Sequence, residues 1–134
     1  MAKNFKIFIS HSWTYHRDLV KLRNLLQSRG YFNVEFLEAS ADTPINSANA
    51  YYVKQTLKTK ILASQIVLAI AGIYATRSEW VNYELETAYA NNIPIIGVIP
   101  FGQERISSVV QRYAVEIVRW NTESIVKPIR AHAL

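Results

Sequence analysis

Residues 66–99 read IVLAIAGIYATRSEWVNYELETAYANNIPIIGVI. Two short runs rich in Ile and Val, IVLAIA at 66–71 and PIIGVI at 94–99, flank the segment EWVNYELETAYANN. Runs so apolar, with no polar residue at alternate positions, read as strands buried on both faces. The segment between them has helical periodicity. A buried strand, a helix and a second buried strand in succession describe a parallel pair joined by a right-handed crossover.

The same alternation extends in both directions. KIFIS (6–10), NVEFL (33–37) and VEIVRW (115–120) are further strand candidates. HRDLVKLRNLLQSRG carries Leu19, Leu22, Leu25 and Leu26 at helical spacing and stops at Gly30, a helix C-terminal signal. ANAYYVKQTLKTKILAS reads as a second helix and ISSVVQRYA as a shorter one, and a last helix around ESIVKPIR is expected to be interrupted by Pro128. The expected architecture is an α/β domain, doubly wound around a five-stranded parallel sheet with helices on both faces. In such sheets ligands bind beyond the carboxyl ends of the strands, which makes the loops after Ser10, Leu37, Ala71 and Ile99 the expected working face. One connection stands out: EASADTPINSAN at 38–49 is long for a strand-to-helix link and reads as a binding or closing loop.

Composition limits what such a domain does. With 134 residues, half of them hydrophobic, the chain fits one domain, 1–134, with a core of its own. No run approaches the roughly 18 apolar residues of a membrane span, and MAKNFKIFISHSW lacks a signal-peptide layout, so a cytoplasmic location with no membrane partner is expected. Zero cysteines exclude disulfides and thiolate metal sites, and His11, His16 and His132 are too scattered for a metal cage; no metal is expected. The net charge of +5 is spread along the chain, densest in KQTLKTK at 54–60, without the aromatic interleaving of a nucleic-acid module; no nucleic acid is expected. A dinucleotide-binding Rossmann fold is excluded because SHSWTYHR, with no glycine, follows the first strand. The same absence excludes a P-loop. A phosphoacceptor receiver domain needs an aspartate at the end of its third strand, and IVLAIAGIYA supplies none.

One position in the third helix breaks its own pattern. With Val81 at zero and 100° per residue, Ala88, Leu85 and Tyr89 fall at about 340°, 40° and 80°, and Trp80 at about 260°. Glu84 falls at about 300°, inside this apolar arc, whereas Glu79 and Glu86 fall at about 160° and 140° on the polar side with Asn82. A carboxylate on an apolar face is costly unless it is paired or lines a cleft. Two readings stand open: Glu84 lines a cleft, or it sits at the rim paired with a cation such as Arg77.

KIFISHSW, IVLAIAGIYATRSEWVNYELETA and IPIIGVIP together resemble a TIR domain, and within it the short bacterial TIR-like proteins (ThsB-like) of Thoeris-type antiphage defence. The resemblance runs from about Lys6 to Trp120, and its most specific part is S-x-W-V-x-x-E-L-x-x-A, in which a tryptophan precedes the family's catalytic glutamate by four residues. It implies a flavodoxin-like TIR fold, with Trp80 and Glu84 in the family's roles. It further implies NAD⁺ as substrate, with no separate cofactor, and cleavage of its nicotinamide glycosidic bond to ADP-ribose, cyclic ADP-ribose isomers or related signals. The implied partners are other TIR copies and a downstream effector that senses the nucleotide product. His11, Ser12 and Trp13 after the FIS segment match the short bacterial group better than animal or plant members. The 38–49 loop takes the place of the family's BB loop without its usual glycine-bearing sequence.

This chemistry asks for few residues. Nicotinamide leaves as a neutral molecule from a cationic ring, so no general acid is needed, unlike the leaving alcohol of an ordinary glycoside. One carboxylate, Glu84, suffices to stabilise the oxocarbenium-like ribosyl cation beside a partly apolar wall. Trp80 reads as that wall or as core. His11 reads as a ligand contact or as a cap of local backbone. Ser10 and Ser12 are candidate diphosphate donors, and Trp13 a candidate base-stacking residue; Phe8 reads as core. Three function classes follow: an NAD⁺-consuming enzyme, a non-catalytic TIR scaffold acting by self-association, and, more distantly, a relative of nucleoside deoxyribosyltransferases, which also attack an N-glycosidic bond with a glutamate.

Overall fold

A computed structural model describes residues 4–10, 16–37, 50–72, 79–100, 102 and 105–134. Strands and helices alternate throughout: β1 Asn4–Ser10, α1 His16–Gln27, β2 Asn33–Leu37, α2 Ala50–Ala63, β3 Ile66–Ile70, α3 Glu79–Ala90, β4 Ile95–Val98, α4 Ser108–Tyr113, β5 Glu116–Val118 and α5 Thr122–His132. All strand pairs are parallel, in the order β2-β1-β3-β4-β5. This is the flavodoxin-like doubly wound fold. The chain leaves β1 for one edge, crosses back over β1 to β3 and then continues outward, so the order of strands reverses between β1 and β3.

The pleat divides the core into two layers. Phe5, Ile7 and Ile9 of β1 and Ile66, Leu68 and Ile70 of β3 face α1 and α5, where Leu19, Leu22, Leu26, Ile125 and Ile129 cover them. Phe8 of β1 and Val67 and Ala69 of β3 face the opposite layer of α2, α3 and α4, where Leu57, Ile61, Val81, Leu85 and Val110 close over them. β3 is buried at all five positions because helices cover it on both sides, which explains its unbroken apolar run.

Helix ends refine the expected boundaries. α3 stops at Ala90 in a Schellman turn: the Ile93 amide donates to the Ala88 carbonyl at 2.9 Å and the Asn92 amide to Tyr89 at 3.2 Å. Asn92 takes the left-handed position with φ 60°. α1 ends at Gln27, before the expected glycine, and the residue with positive φ is Tyr31, at 57°, not Gly30. The last helix is not broken at Pro128, as the sequence reading expects; α5 runs through it to His132. The carbonyl deprived of its amide partner belongs to exposed Ser124, within reach of water, while Ile125, Val126, Pro128 and Ile129 bury one face. The Asn121 side chain caps the helix, accepting from the Ser124 amide at 3.1 Å.

Gly97 is where α4 presses closest on the sheet. A Cβ there would stand 2.7 Å from Val110 Cγ1 and 3.1 Å from Ile117 Cγ1. Val110 is fully buried and β-branched, so it has no rotamer into which to retreat. Gly97→Ala is expected to destabilise the fold by about 1–3 kcal/mol, read as a lower urea midpoint. An unchanged midpoint would show that α4 shifts freely.

Candidate functional site

Ser10 is the last residue of β1 and shares the even-numbered face of that strand with Phe8, the face turned toward α2, α3 and α4. α3 crosses that face with Val81, Glu84, Leu85 and Ala88 buried. The two facts bring Ser10 and Glu84 together: Ser10 Oγ donates to Glu84 Oε1 at 2.8 Å. The side chains are 0 % and 3 % exposed, so the pair sits inside the protein at the carboxyl end of β1, beside the β1/β3 reversal.

The electrostatics follow from that burial. Losing water disfavours the charged carboxylate, and the Ser10 hydroxyl only partly compensates by stabilising it, so Glu84 is pushed up to a pKa of about 8. At pH 7 roughly nine-tenths of the carboxyl is therefore neutral. Among the described residues the hydroxyl of Ser10 is its hydrogen-bond partner, and no ion pair to it is seen. Arg77, the candidate cation, lies outside the described residues. A cation placed against this carboxyl would restore its charge.

Trp80, one turn before Glu84, is half-buried and packs against the α2/α3/α4 layer, its ring edge-on to Tyr83 at 6.2 Å and 84°. Tyr83 in turn donates its hydroxyl to the Lys54 carbonyl at 2.9 Å, with the Lys54 ammonium 5.5 Å above the ring. This tie between α2 and α3 fixes the helix that carries Glu84. Sequence reasoning missed it, because a contact between two helices leaves no mark in the periodicity of either. Tyr89, inside the apolar arc by its angle, is 61 % exposed, its ring 5.2 Å from that of Tyr113 of α4 and tilted to it by 59°, so the buried stripe is narrower than the sequence implies. Glu79 and Glu86 are exposed, as their angles require.

His11, Ser12 and Trp13 and the 38–49 loop lie outside the described residues. A groove of about 640 Å³ between α1 and the start of α5, lined by Lys21, Asn24, Arg29, Trp120 and Thr122 among others, belongs to the opposite layer and includes no candidate site residue. Among the described residues no cluster of His, Asp or Glu is arranged to hold a metal, and no helix is long and apolar enough to cross a membrane.

Comparison with known proteins bears on this geometry. The solved 2-deoxyribosyltransferase of the psychrotolerant bacterium Bacillus psychrosaccharolyticus superposes with a TM-score of 0.59 over 91 % of this chain and 90 % of that one, at 16 % identity. That likeness concerns the fold. The glutaminase domain of Trypanosoma brucei CTPS, with bound acivicin, is more remote: TM-score 0.34 and 14 % identity, over 69 % of this chain and 35 % of that one. No curated protein sequence matches the chain. The family model described as the TIR-like domain of the Thoeris protein ThsB matches residues 8–105, a span that holds both Ser10 and Glu84. With most of its length inside that match, the chain belongs to the ThsB TIR-like domain family.

Proposed function

We propose that the domain is an NAD⁺-cleaving enzyme of a Thoeris antiphage system, breaking the nicotinamide–ribose bond to make an ADP-ribose-derived nucleotide signal, linear or cyclic. The observation that carries this reading is the buried Glu84 carboxyl at the carboxyl end of β1, with a hydroxyl and no described cation beside it. A scaffold gains nothing from such a group, which costs stability wherever it is charged. A cationic substrate gives it a purpose. The pyridinium of NAD⁺ and the oxocarbenium that follows are the charges that draw a proton off Glu84 and are stabilised by the anion left behind.

In the reaction the bond from ribose C1′ to the pyridine nitrogen breaks, and its electron pair leaves with neutral nicotinamide. C1′ becomes cationic and is captured by water, giving ADP-ribose and a proton, or by a nucleophile of the same nucleotide, giving a cyclic product and a proton. Glu84 is the electrostatic partner of C1′ and a holder of the ribose hydroxyls. Trp80 lines the apolar wall, and His11, Ser12 and Trp13 contact the phosphates, ribose or base. TIR copies assemble with one another, and a separate effector senses the product in the cytoplasm.

Incubation of purified protein with NAD⁺, alone and with lysate of phage-infected cells, is expected to release nicotinamide and an ADP-ribose-derived nucleotide, identified by mass spectrometry. A deoxynucleoside incubated in parallel is expected to remain intact. Intact NAD⁺ under every condition would leave the scaffold reading; base exchange on the deoxynucleoside would replace the substrate.

A further inference from the structure

Ser10 has a role that its place on the strand alone does not reveal. It has a single hydroxyl proton, and that proton goes to Glu84 Oε1. We propose that Ser10 is a positioning residue for Glu84: β1 delivers a hydroxyl that holds one carboxylate oxygen, so that Oε2 is the oxygen presented to the ribosyl group of the substrate. This rests on the NAD⁺-cleaving reading above and adds to it a division of labour between the two oxygens.

Three observations carry it. The Ser10 side chain is fully buried between the sheet and α3, so its hydroxyl is not a surface group free to turn elsewhere. β1 pairs with a neighbour on each side, Ser10 itself standing opposite Ala69 of β3, which fixes the height of the hydroxyl along the sheet. Among the described residues Oε2 has no recorded hydrogen-bond partner, although the carboxyl as a whole is 3 % exposed. A buried carboxyl with one oxygen tethered and the other open has its rotation about the last side-chain bond restricted, and a preorganised acceptor loses less on meeting its ligand.

The hydroxyl also biases protonation, because a donor favours the ionised acceptor. The titratable groups on the elements packed against α3 are Tyr51, Tyr52, Lys54, Lys58 and Lys60 of α2, Lys6 of β1, and Arg112 and Tyr113 of α4; β4 has none. α3 itself adds Glu79, Tyr83, Glu86 and Tyr89. None of these contributes to the shift of Glu84, whose causes are burial and the Ser10 hydrogen bond.

The test is a carbon-13 titration of the Glu84 carboxyl in protein labelled at glutamate, the resonance being assigned by its loss in Glu84→Gln. In Ser10→Ala the midpoint is expected to rise by about one pH unit, because the donor that favours the anion is gone. Ser10→Thr, which restores a hydroxyl, is expected to bring it back. In the NAD⁺ assay Ser10→Ala should lower kcat/KM about tenfold at pH 7 and recover toward the parent at pH 9.5, whereas a merely structural loss would lower it equally at all pH values. A midpoint unmoved in a folded Ser10→Ala protein would overturn the proposal. Should that variant not fold, Ser10→Cys, a weaker donor of similar shape, carries the same comparison. The titration needs no turnover, so a shifted midpoint with no NAD⁺ cleavage would sink the enzymatic reading and leave the hydrogen bond standing.

Discussion

Glu84→Gln is expected to remove NAD⁺ cleavage almost entirely, by about a hundredfold to a thousandfold in kcat, the usual cost of deleting one preorganised electrostatic partner. The substitution keeps the shape of the side chain and keeps an oxygen to accept from Ser10 Oγ, so what it deletes is the negative charge that meets the ribosyl cation. Glu86→Gln is the matched control. Glu86 lies two residues further along α3 on the exposed side, and its replacement should leave turnover within about a factor of two or three. The pair separates position from residue type: equal losses in both variants would point to a general electrostatic effect of the acidic helix, and no loss in Glu84→Gln would end the proposed mechanism. The dependence of kcat/KM on pH in the parent adds a second check. The reactive form is the anion, and the free-enzyme carboxyl titrates at about 8, so kcat/KM should climb from pH 6 through its half-maximum at about pH 8 and level off above about pH 9.

The second large effect is on stability, and its sign depends on what surrounds the carboxyl. The pKa of Glu84 is raised from 4.5 in the unfolded reference to about 8 in the fold, so the folded state favours the neutral form. Its contribution to stability is therefore fully present below about pH 4.5 and is lost as pH rises through the interval to about 8, where the unfolded chain ionises freely and the folded one resists. Over the interval from pH 5 to pH 9 the loss comes to about 4 kcal/mol. Glu84→Gln has no proton to lose and escapes it. Urea unfolding of parent and variant at pH 5, 7 and 9 should show the variant gaining on the parent as pH rises, by ~4 kcal/mol across the range, whatever small packing cost the amide itself carries. An ion pair to a cation such as Arg77 would instead lower the folded pKa below 4.5, so the parent would already be the more stable at pH 5 and would keep the same advantage to pH 9. A flat difference near zero would mean that water reaches the carboxyl. The combination expected here, a variant that is more stable at neutral pH and inactive, is the usual mark of a group kept for chemistry at the expense of the fold.

How much of this was open to a reader of the residues differs from element to element. The five strands and the helices between them were legible because burial on both faces of a parallel sheet forces continuous apolar runs, as in the fully buried IVLAI of β3. Glu84 was legible for a related reason: an acidic residue at about 300° on a helical wheel, between Trp80 and Ala88, conflicts with its own surroundings. Pro128 misled because the cost of a proline depends on whether the carbonyl it orphans can reach water, and whether Ser124 is exposed is a property of the packed helix, not of the local pattern. Tyr89 misled in the same way. Its angle put it in the apolar arc, but it stands at the edge of that arc and stays largely exposed, its ring against Tyr113 of α4.

By itself the sequence determined which segments pair into a doubly wound sheet and which helical residue carries a charge toward the core, since both depend on periods of two and of 3.6 residues that a single segment displays. Only the tertiary structure decided what the charge would meet. Ser10 and Glu84 are 74 residues apart, and nothing in either segment states that the other exists. Their meeting requires that β1 lie next to β3, that the face of β1 bearing Ser10 be the one α3 covers, and that α3 lie at a height where its second turn reaches the end of the strand. Strand order, register and helix height are set by packing the whole core at once. The chemistry of the site therefore rests on a 2.8 Å contact that local periodicity cannot encode.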